Sequence, residues 1–352
     1  MYSDHARDAP LALAAVPLVL ACLAAPPLPA QHAEAPGLAV RLRGTWSSPA
    51  TGQTIRFDGA ECVVAHRLRQ TLMTVEYDAD GSRIVRAVAG SPEQPVVSRI
   101  EFTDDEHAKL VGQAHTLELT RIAAATDPIP EAVSIEPMRL GTRDPAADEV
   151  AAIREQLESR REREQDIREQ LSQVEERVRA RLASEGRAAD PFSDPEMQDV
   201  MSRMMAIDDA NTRYVKDLMA DVGWIDAARF GDAANDAAFL IVQHCGNLAL
   251  LRAVTPALKA EFDAGRAPQG PRYALMYDRL TLALGGRQRY GSQLLGRPDG
   301  SLYFPRLEDP ATVDLRRRTV GLGTLADYAK RFDGAPVQMP EGYVEPDGGG
   351  RR

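Results

Sequence analysis

The stretch Leu72–Val88 reads LMTVEYDADGSRIVRAV, and it decides the first half of the fold. Leu72–Tyr77 and Arg83–Val88 each alternate apolar and polar residues, which is the period of a strand with one buried face. The residues between them, Asp78-Ala79-Asp80-Gly81, are typical of a turn. The stretch therefore predicts a β-hairpin.

Similar short alternating runs occur throughout residues 38–122, and each is a candidate strand. They are Val40–Trp46, Gln53–Phe57, Val96–Phe102 and His115–Arg121. Six or so consecutive strands predict an antiparallel meander that forms a small half-open or closed barrel. The opening Gly44-Thr45-Trp46 resembles the Gly-x-Trp at the first strand of lipocalin-like barrels, which favours the barrel.

The pattern changes to a helical one after a proline-rich linker at residues 123–144. From Pro145 to Glu185 the chain is highly charged, with a narrow apolar stripe at helical spacing. The stripe loses register at Arg160 and Glu164, so packing within the same domain is favoured over a coiled coil. Its apolar members are Ile153, Leu157, Ile167, Leu171, Val174, Val178 and Leu182.

A helical domain is predicted over residues 145–332, with one β-hairpin in it. Its further helices are Pro195–Val222, Asp232–Cys245, Leu248–Ala264 and Arg272–Leu284. Two short strands are expected between Gln288 and Leu307, and short helices after Asp309-Pro310 and Thr324. Residues 333–352 are expected to be a disordered tail. The predicted fold class is α+β, a small antiparallel β-meander or barrel followed by a mainly α-helical domain.

The N-terminus and the charge indicate where the protein acts. Arg7 precedes an apolar stretch from Leu11 to Ala25, which is typical of a signal peptide at residues 1–30. Cleavage after Ala30 would give a soluble periplasmic or secreted protein, whereas cleavage before Cys22 would give a lipid-anchored one. A plain apolar N-terminal arm is the alternative. The net charge of −10 excludes a general nucleic-acid surface.

No metal or other cofactor is predicted. Cys62 and His66 could share a strand face, but two ligands do not complete a zinc site. The sequence has no His-Glu-x-x-His motif, no phosphate-binding glycine loop and no Gly-x-Ser-x-Gly elbow. After removal of the signal, Cys62 and Cys245 remain. Two buried free thiols are favoured over a disulfide between them.

The candidate catalytic residues are His244 and Asp278. His244 follows Leu240 and Ile241, so its imidazole is expected on an apolar helix face. Asp278 has similarly apolar neighbours and needs a partner, because a buried carboxylate is costly alone. In the catalytic hypothesis His244 is a general base and Asp278 orients it. Arg316 and Tyr290 are the other partners considered for Asp278.

The candidate substrate-binding residues surround the predicted hairpin. Their amides, phenol and guanidinium groups suit a small polar ligand, and Gly291 would allow a close approach. They suit equally well a structural role, in which they tie the hairpin to the helices. They are Arg279, Gln288, Tyr290, Gln293 and Arg316.

Residues 154–332 resemble a mostly helical bacterial domain family of unknown function. The resemblance rests on a set of motifs: Glu164-Gln165-x-x-Arg168, Asp208 or Asp209 with Asn211, Gly223-Trp224, Gln243-His244, Asp278-Arg279, Gln288-x-Tyr290-Gly291-Ser292-Gln293, Asp314-x-Arg316-Arg317 and Gly321-Leu322. The family tends to have Ala-Asp after Gln-His and often Thr at position 292, whereas this chain has Cys245-Gly246 and Ser292. The resemblance implies no activity.

Two functions remain open from the sequence. The first is an exported binding or interaction protein of the cell envelope, with a small polar ligand or an envelope protein as its partner. The second is an envelope enzyme that uses His244 as its general base. Neither involves nucleic acid, and a membrane is involved only through a lipid anchor at Cys22.

Overall fold

A computed structural model gives the fold of the chain. It describes residues 36–78, 83–89, 91–112, 116–186, 191–266, 269–297, 300–332 and 334–345. The predicted signal peptide, Cys22 and the last residues of the predicted tail lie outside this part. The chain divides into two compact units: unit 1 comprises Met1–His66, Thr71–Ser134 and Thr255–Arg352, and unit 2 comprises Arg67–Gln70 and Ile135–Val254.

Unit 1 contains a closed antiparallel barrel of eight strands, each paired with the next in sequence and the last paired with the first. The strands are β1 (Gly44–Ser48), β2 (Gln53–Asp58), β3 (Glu61–His66), β4 (Arg69–Tyr77), β5 (Arg83–Val88), β6 (Ser91–Phe102), β7 (His107–Val111) and β8 (Thr116–Ala123). The predicted hairpin is confirmed as β4 and β5. The prediction of six strands missed β3, four of whose six residues are buried in a row, and β7, which is only five residues long.

The prediction of a strand at Val40–Trp46 is wrong for the first half of that segment. Residues Pro36–Leu42 form helix α1, and β1 begins at Gly44. Trp46 of β1 is fully buried, and its indole N–H donates to the Leu42 carbonyl at 2.6 Å. The Arg121 guanidinium lies 4.2 Å from the centre of the Trp46 ring. Trp46 therefore joins α1 to the first and last strands of the barrel.

The barrel interior is a hydrophobic core to which every strand contributes. Because side chains alternate between the two faces of a strand, every second residue points inward. The buried members are Leu38, Leu42, Trp46, Ile55, Phe57, Cys62, Val64, Met73, Val75, Ile84, Ile100, Ala108, Leu110 and Leu119.

The C-terminal part of unit 1 combines short helices with a small sheet. Its elements are the end of α6 (Leu248–Asp263), α7 (Gln269–Ala283), β9 (Leu295–Gly296), β10 (Leu302–Tyr303), α8 (Val313–Thr319), α9 (Leu325–Ala329) and β11 (Val337–Gln338). Strands β9 and β10 form the predicted hairpin. The predicted disordered tail is wrong for residues 334–345, because β11 pairs with β10 in parallel and Val337, Met339 and Tyr343 pack on the local core.

The predicted helical domain at 145–332 is divided between the two units. Its C-terminal part belongs with the barrel, because Arg306 donates to the Ala89 carbonyl at 2.8 Å. Gly285 also lies against Ala89, where an added Cβ would be 3.2 Å from the Ala89 Cβ. Helical periodicity cannot reveal such a boundary, since it depends on contacts between residues far apart in sequence.

Unit 2 consists of helices arranged around a long antiparallel pair. They are α2 (Ala147–Ser184), α3 (Pro195–Val222), α4 (Ala227–Phe230), α5 (Asp232–His244) and the first part of α6. The apolar stripe of α2 packs on α3 and α5, and all of its members except the half-buried Leu171 are buried within the chain. Asp194 caps α3 by accepting from the Glu196 amide at 3.0 Å.

Cys62 is a buried free thiol, and Cys245 is buried with its sulfur accepting from the Asn247 backbone amide at 3.3 Å. Over the part of the chain that the structure describes, no helix is long and apolar enough to cross a membrane.

Replacing Trp46 with alanine should destabilise the barrel by about 3–5 kcal/mol, because it leaves a large cavity and removes the bond to α1. Urea unfolding followed by circular dichroism measures the change. Ile122→Ala, at a half-exposed site on β8, is the control and should change stability by less than about 0.5 kcal/mol. Equal losses in both variants would contradict the central role of Trp46.

Candidate functional site

A cluster of charged and polar side chains interrupts the apolar contact between α2 and α3. We call it the α2–α3 polar cluster. Arg160, Glu164 and Arg168 are spaced four residues apart on α2, so they lie on one face. Facing or flanking them are Asp208 and Asn211 of α3, His244 at the end of α5, and Arg69.

Arg168 connects the two acids of the α2–α3 polar cluster. Its Nε donates to Glu164 at 3.0 Å, and its Nη2 donates to Asp208 at 3.0 Å. Arg69 donates to the other oxygen of Asp208. The Glu164 and Asp208 side chains are 1% and 3% exposed. Such buried carboxylates are stable only with partners of this kind.

The imidazole of His244 contacts Glu164 through Nδ1. The acid that contacts this ring within unit 2 is therefore Glu164, whereas Asp278, which was predicted to orient His244, belongs to unit 1. His244 is nearly buried, with a side chain that is 7% exposed. A carboxylate at one ring nitrogen fixes the tautomer and orientation of a histidine.

The two acids differ in their pKa. Burial would raise the pKa of Glu164, but the hydrogen bond from His244 and the charges of His244 and Arg168 hold it below its ordinary value. Burial raises the pKa of Asp208 to about 6, although the charges of Arg168 and Arg69 oppose the rise. The cluster therefore contains one acid that ionises readily beside one that titrates near neutrality.

Several buried polar atoms of the α2–α3 polar cluster have no hydrogen-bond partner within the described chain. They are three donors, Arg69 Nε, Arg160 Nε and Asn211 Nδ2, and one acceptor, Glu164 Oε2. Buried polar groups are almost always paired, so unpaired ones call for an explanation such as water or a ligand. This excess of donors would suit a ligand that carries negative charge.

A second cluster, in unit 1, is built around Asp278, which is fully buried on α7. Its carboxylate accepts from the backbone amides of Arg289, Tyr290 and Ser292 at 2.7, 3.1 and 2.9 Å. Burial raises the pKa of Asp278, and these amide donors oppose the rise. We call Asp278 and the loop 288–293 the Asp278 cluster.

The loop 288–293 also bonds to itself and to its neighbours. The side-chain amide of Gln288 donates to the backbone carbonyls of Gln293 and Pro305 at 3.1 and 2.7 Å. Its side-chain oxygen accepts from the backbone N–H of Gln293. The Gln293 side-chain amide donates to the Leu275 carbonyl at 3.4 Å. The first of the two strands expected between Gln288 and Leu307 begins only at Leu295, because the backbone at 288–293 bends around Asp278.

Two arginine side chains donate hydrogen bonds to the backbone carbonyls of this loop. Arg316 donates to the Arg289 carbonyl at 2.7 Å and also to the backbone of Glu308. Arg317, which is 2% exposed, donates to the carbonyls of Tyr290 and Gly291. Arg317 was not among the predicted site residues, since nothing in its sequence context distinguishes it from Arg316.

The remaining predicted residues also lie in unit 1. Tyr290 is buried and packs edge-on against Tyr273 and Tyr277, with ring centres 6.2 and 6.0 Å apart. Arg279 is half-buried on α7, next to Asp278. The close approach predicted at Gly291 is present, because an added Cβ would lie 2.7 Å from Leu325.

The structure therefore separates the predicted site residues into two groups. Asp278, Gln288, Tyr290, Gln293 and Arg316 come together, but their polar groups mainly bond one another and the backbone, as a structural network does. His244 belongs to unit 2, with partners that the site prediction missed. Glu164, Arg168 and Asp208 were recognised in the resemblance, and Arg160 and Glu164 as breaks in the α2 stripe.

Neither cluster offers a metal centre. Within the described ranges, no group of three or more His, Cys, Asp or Glu side chains is arranged to hold a metal ion.

The chain belongs to a family of unknown function, DUF6624, whose family model matches residues 162–337. This match confirms the resemblance identified over residues 154–332. It includes most of both clusters, although Arg160 and Arg69 lie before it. No curated protein matches the chain. The family membership supplies no reaction or ligand.

Replacing Asp278 with asparagine should destabilise the protein by at least about 2 kcal/mol, since one of the two oxygens that accept from buried backbone amides becomes an NH2 donor. Chemical unfolding measures the loss. Asp263→Asn, which removes an exposed acid paired with Lys259 on α6, is the matched control and should be nearly neutral. A neutral Asp278→Asn variant would contradict the structural role of this acid.

Asp208 should make stability depend on pH. Its pKa is about 6 when folded and near 3.8 when unfolded, so the folded state binds an extra proton between these values. The stability from this group is therefore complete below about pH 4 and is lost as the pH rises to about 6. Relative to Asp208→Asn, the wild type should lose about 3 kcal/mol of unfolding free energy over that range. Parallel pH curves for the two proteins would contradict the raised pKa.

Proposed function

We propose that this chain is an exported protein of the cell envelope that binds a small polar ligand at the α2–α3 polar cluster. The single observation that carries the proposal is the set of unpaired buried atoms on Arg69, Arg160, Glu164 and Asn211. Three donors and one acceptor favour an organic anion that also has a hydroxyl group, such as a hydroxy acid.

The contrast with the Asp278 cluster supports this choice of site. Every oxygen of the Asp278 carboxylate accepts from backbone amides, so that cluster has little capacity for a ligand. In the α2–α3 polar cluster, Glu164 has one oxygen bonded and the other unpaired. A ligand that supplied a hydroxyl to Glu164 and a carboxylate to the nearby donors would satisfy these groups.

Export rests on the N-terminal sequence. An apolar stretch from Leu11 to Ala25, followed by Pro26-Pro27-Leu28-Pro29-Ala30, supports a signal peptide. A periplasmic protein would begin at residue 31, and a lipid-anchored one at Cys22. Mass spectrometry of the mature chain distinguishes these two forms, and an intact N-terminus would contradict export.

An enzyme of the envelope is the second candidate, and the His244–Glu164 contact favours it. A histidine held by a carboxylate is the usual arrangement of a general base. Glu164 replaces Asp278 as the orienting acid in this hypothesis. Turnover distinguishes the enzyme from the binding protein: a compound that binds and is recovered unchanged would contradict catalysis.

The binding proposal can be tested by thermal unfolding with a panel of hydroxy acids, among them lactate, malate and citrate. A ligand present at about 100 times its Kd should add about 2.7 kcal/mol of stability and raise the melting temperature. Asn211→Leu should abolish the shift, because it removes one of the unpaired donors. Gln173→Leu, which replaces an exposed amide on α2, is the matched control and should keep it. A shift that survives Asn211→Leu, or no shift with any of these acids, would contradict the proposal.

A further inference from the structure

A single arginine points into the barrel of unit 1. Arg86 lies on β5 directly opposite Val75 of β4. Val75 belongs to the buried core of the barrel, and residues opposite each other in a sheet share a face. The side chain of Arg86 is therefore on the inner face, and the residue is only 8% exposed.

Arg86 has almost no polar partner inside the barrel. Its Nη2 donates to the Ser98 hydroxyl at 3.5 Å, which is a weak bond, and its buried Nε donates to nothing in the described residues. It forms no ion pair with any described carboxylate. Burial holds the pKa of Arg86 below its ordinary value. Burying a cation without an anion costs several kcal/mol. Arg86 therefore lacks the anion that would offset this cost.

The barrel is accessible to solvent at one end. Gln53 and His66 are paired at the beginning of β2 and the end of β3, and alternation places both on the inner face. Val88 lies on the inner face of β5 at the same end, and Val96 lies on the inner face of β6, directly opposite Arg86. Val88 is 37% exposed and the other three are partly exposed. Water therefore reaches inward-facing side chains of the described barrel residues at this end.

We propose that the barrel of unit 1 binds an apolar monocarboxylic acid, with its carboxylate paired to Arg86 and its hydrocarbon chain directed past Val96 towards Val88. A guanidinium group matches the two oxygens of a carboxylate, and the Ser98 hydroxyl adds a further donor. The apolar inner face disfavours a hydrated inorganic anion, whereas a hydrocarbon chain gains free energy there. An eight-stranded barrel is wide enough to hold one small ligand. This site does not depend on the α2–α3 polar cluster.

Isothermal titration of the full mature chain tests the proposal, with octanoate as the probe. Octanoate should bind the wild type, while octan-1-ol, which has the same chain without the charge, should bind at least ten-fold more weakly. Acetate, which has the charge without the chain, should also bind at least ten-fold more weakly. These comparisons separate the contributions of the charge and the apolar chain.

The arginine is tested with Arg86→Met, which keeps a similar side-chain volume without charge. This variant should bind octanoate at least ten-fold more weakly than the wild type. Arg99→Met, on β6, removes an exposed arginine that pairs with Glu101, and it should bind octanoate as the wild type does. Circular dichroism and thermal unfolding establish that each variant is folded.

Three results would overturn the proposal: no octanoate binding by the wild type at millimolar concentration, equal binding of octanoate and octan-1-ol, or unchanged binding by Arg86→Met. If Arg86→Met does not fold, Val96→Trp is used instead, because a large ring directly opposite Arg86 should block octanoate while Arg86 is retained. Undiminished binding by Val96→Trp would equally overturn it.

Discussion

Glu164 loses almost all of its contact with water when the chain folds, and the centre of unit 2 is organised around this buried charge. The acid sits in the middle of a helix stripe that is otherwise apolar. Arg168 reaches it from the next turn, and His244 reaches it from the end of α5. Arg168 also donates to Asp208, and Arg69 donates to the other oxygen of Asp208. Removal of one member would leave another charge buried without a partner.

The two polar clusters show how different buried acids can be. Asp278 is surrounded by backbone amides, which are fixed by the fold, so its loop adopts one conformation and has little left to offer a ligand. Glu164 and Asp208 are surrounded by long side chains, several of which keep unused donors. Hydrogen-bonding capacity that the protein leaves unused is a better guide to a binding site than the number of polar residues in a stretch of sequence.

The parts of the fold that could be predicted are those that depend on local sequence pattern. The limits of α3 agree with the sequence, because Asp194-Pro195 begins this helix and Gly223 ends it. The residues 288–293 were expected to begin a hairpin, and only the distant Asp278 explains the path that their backbone takes instead. Arg160 and Glu164 were recognised as a break in the α2 stripe. The sequence could not show which residues these two polar side chains contact, because Asp208, His244 and Arg69 are brought to them only by folding.

The limits of the family match do not coincide with the limits of the folded units. The match begins at residue 162, inside α2, and ends at Val337, the first residue of β11. A fragment cut at these positions would split the long helix and remove one of the two residues of β11, the strand that pairs with β10. The uncovered edge of β10 could then recruit a second copy of the fragment, as open strand edges do in domain swapping and aggregation. Recombinant work on this family therefore needs fragments chosen from the three-dimensional contacts.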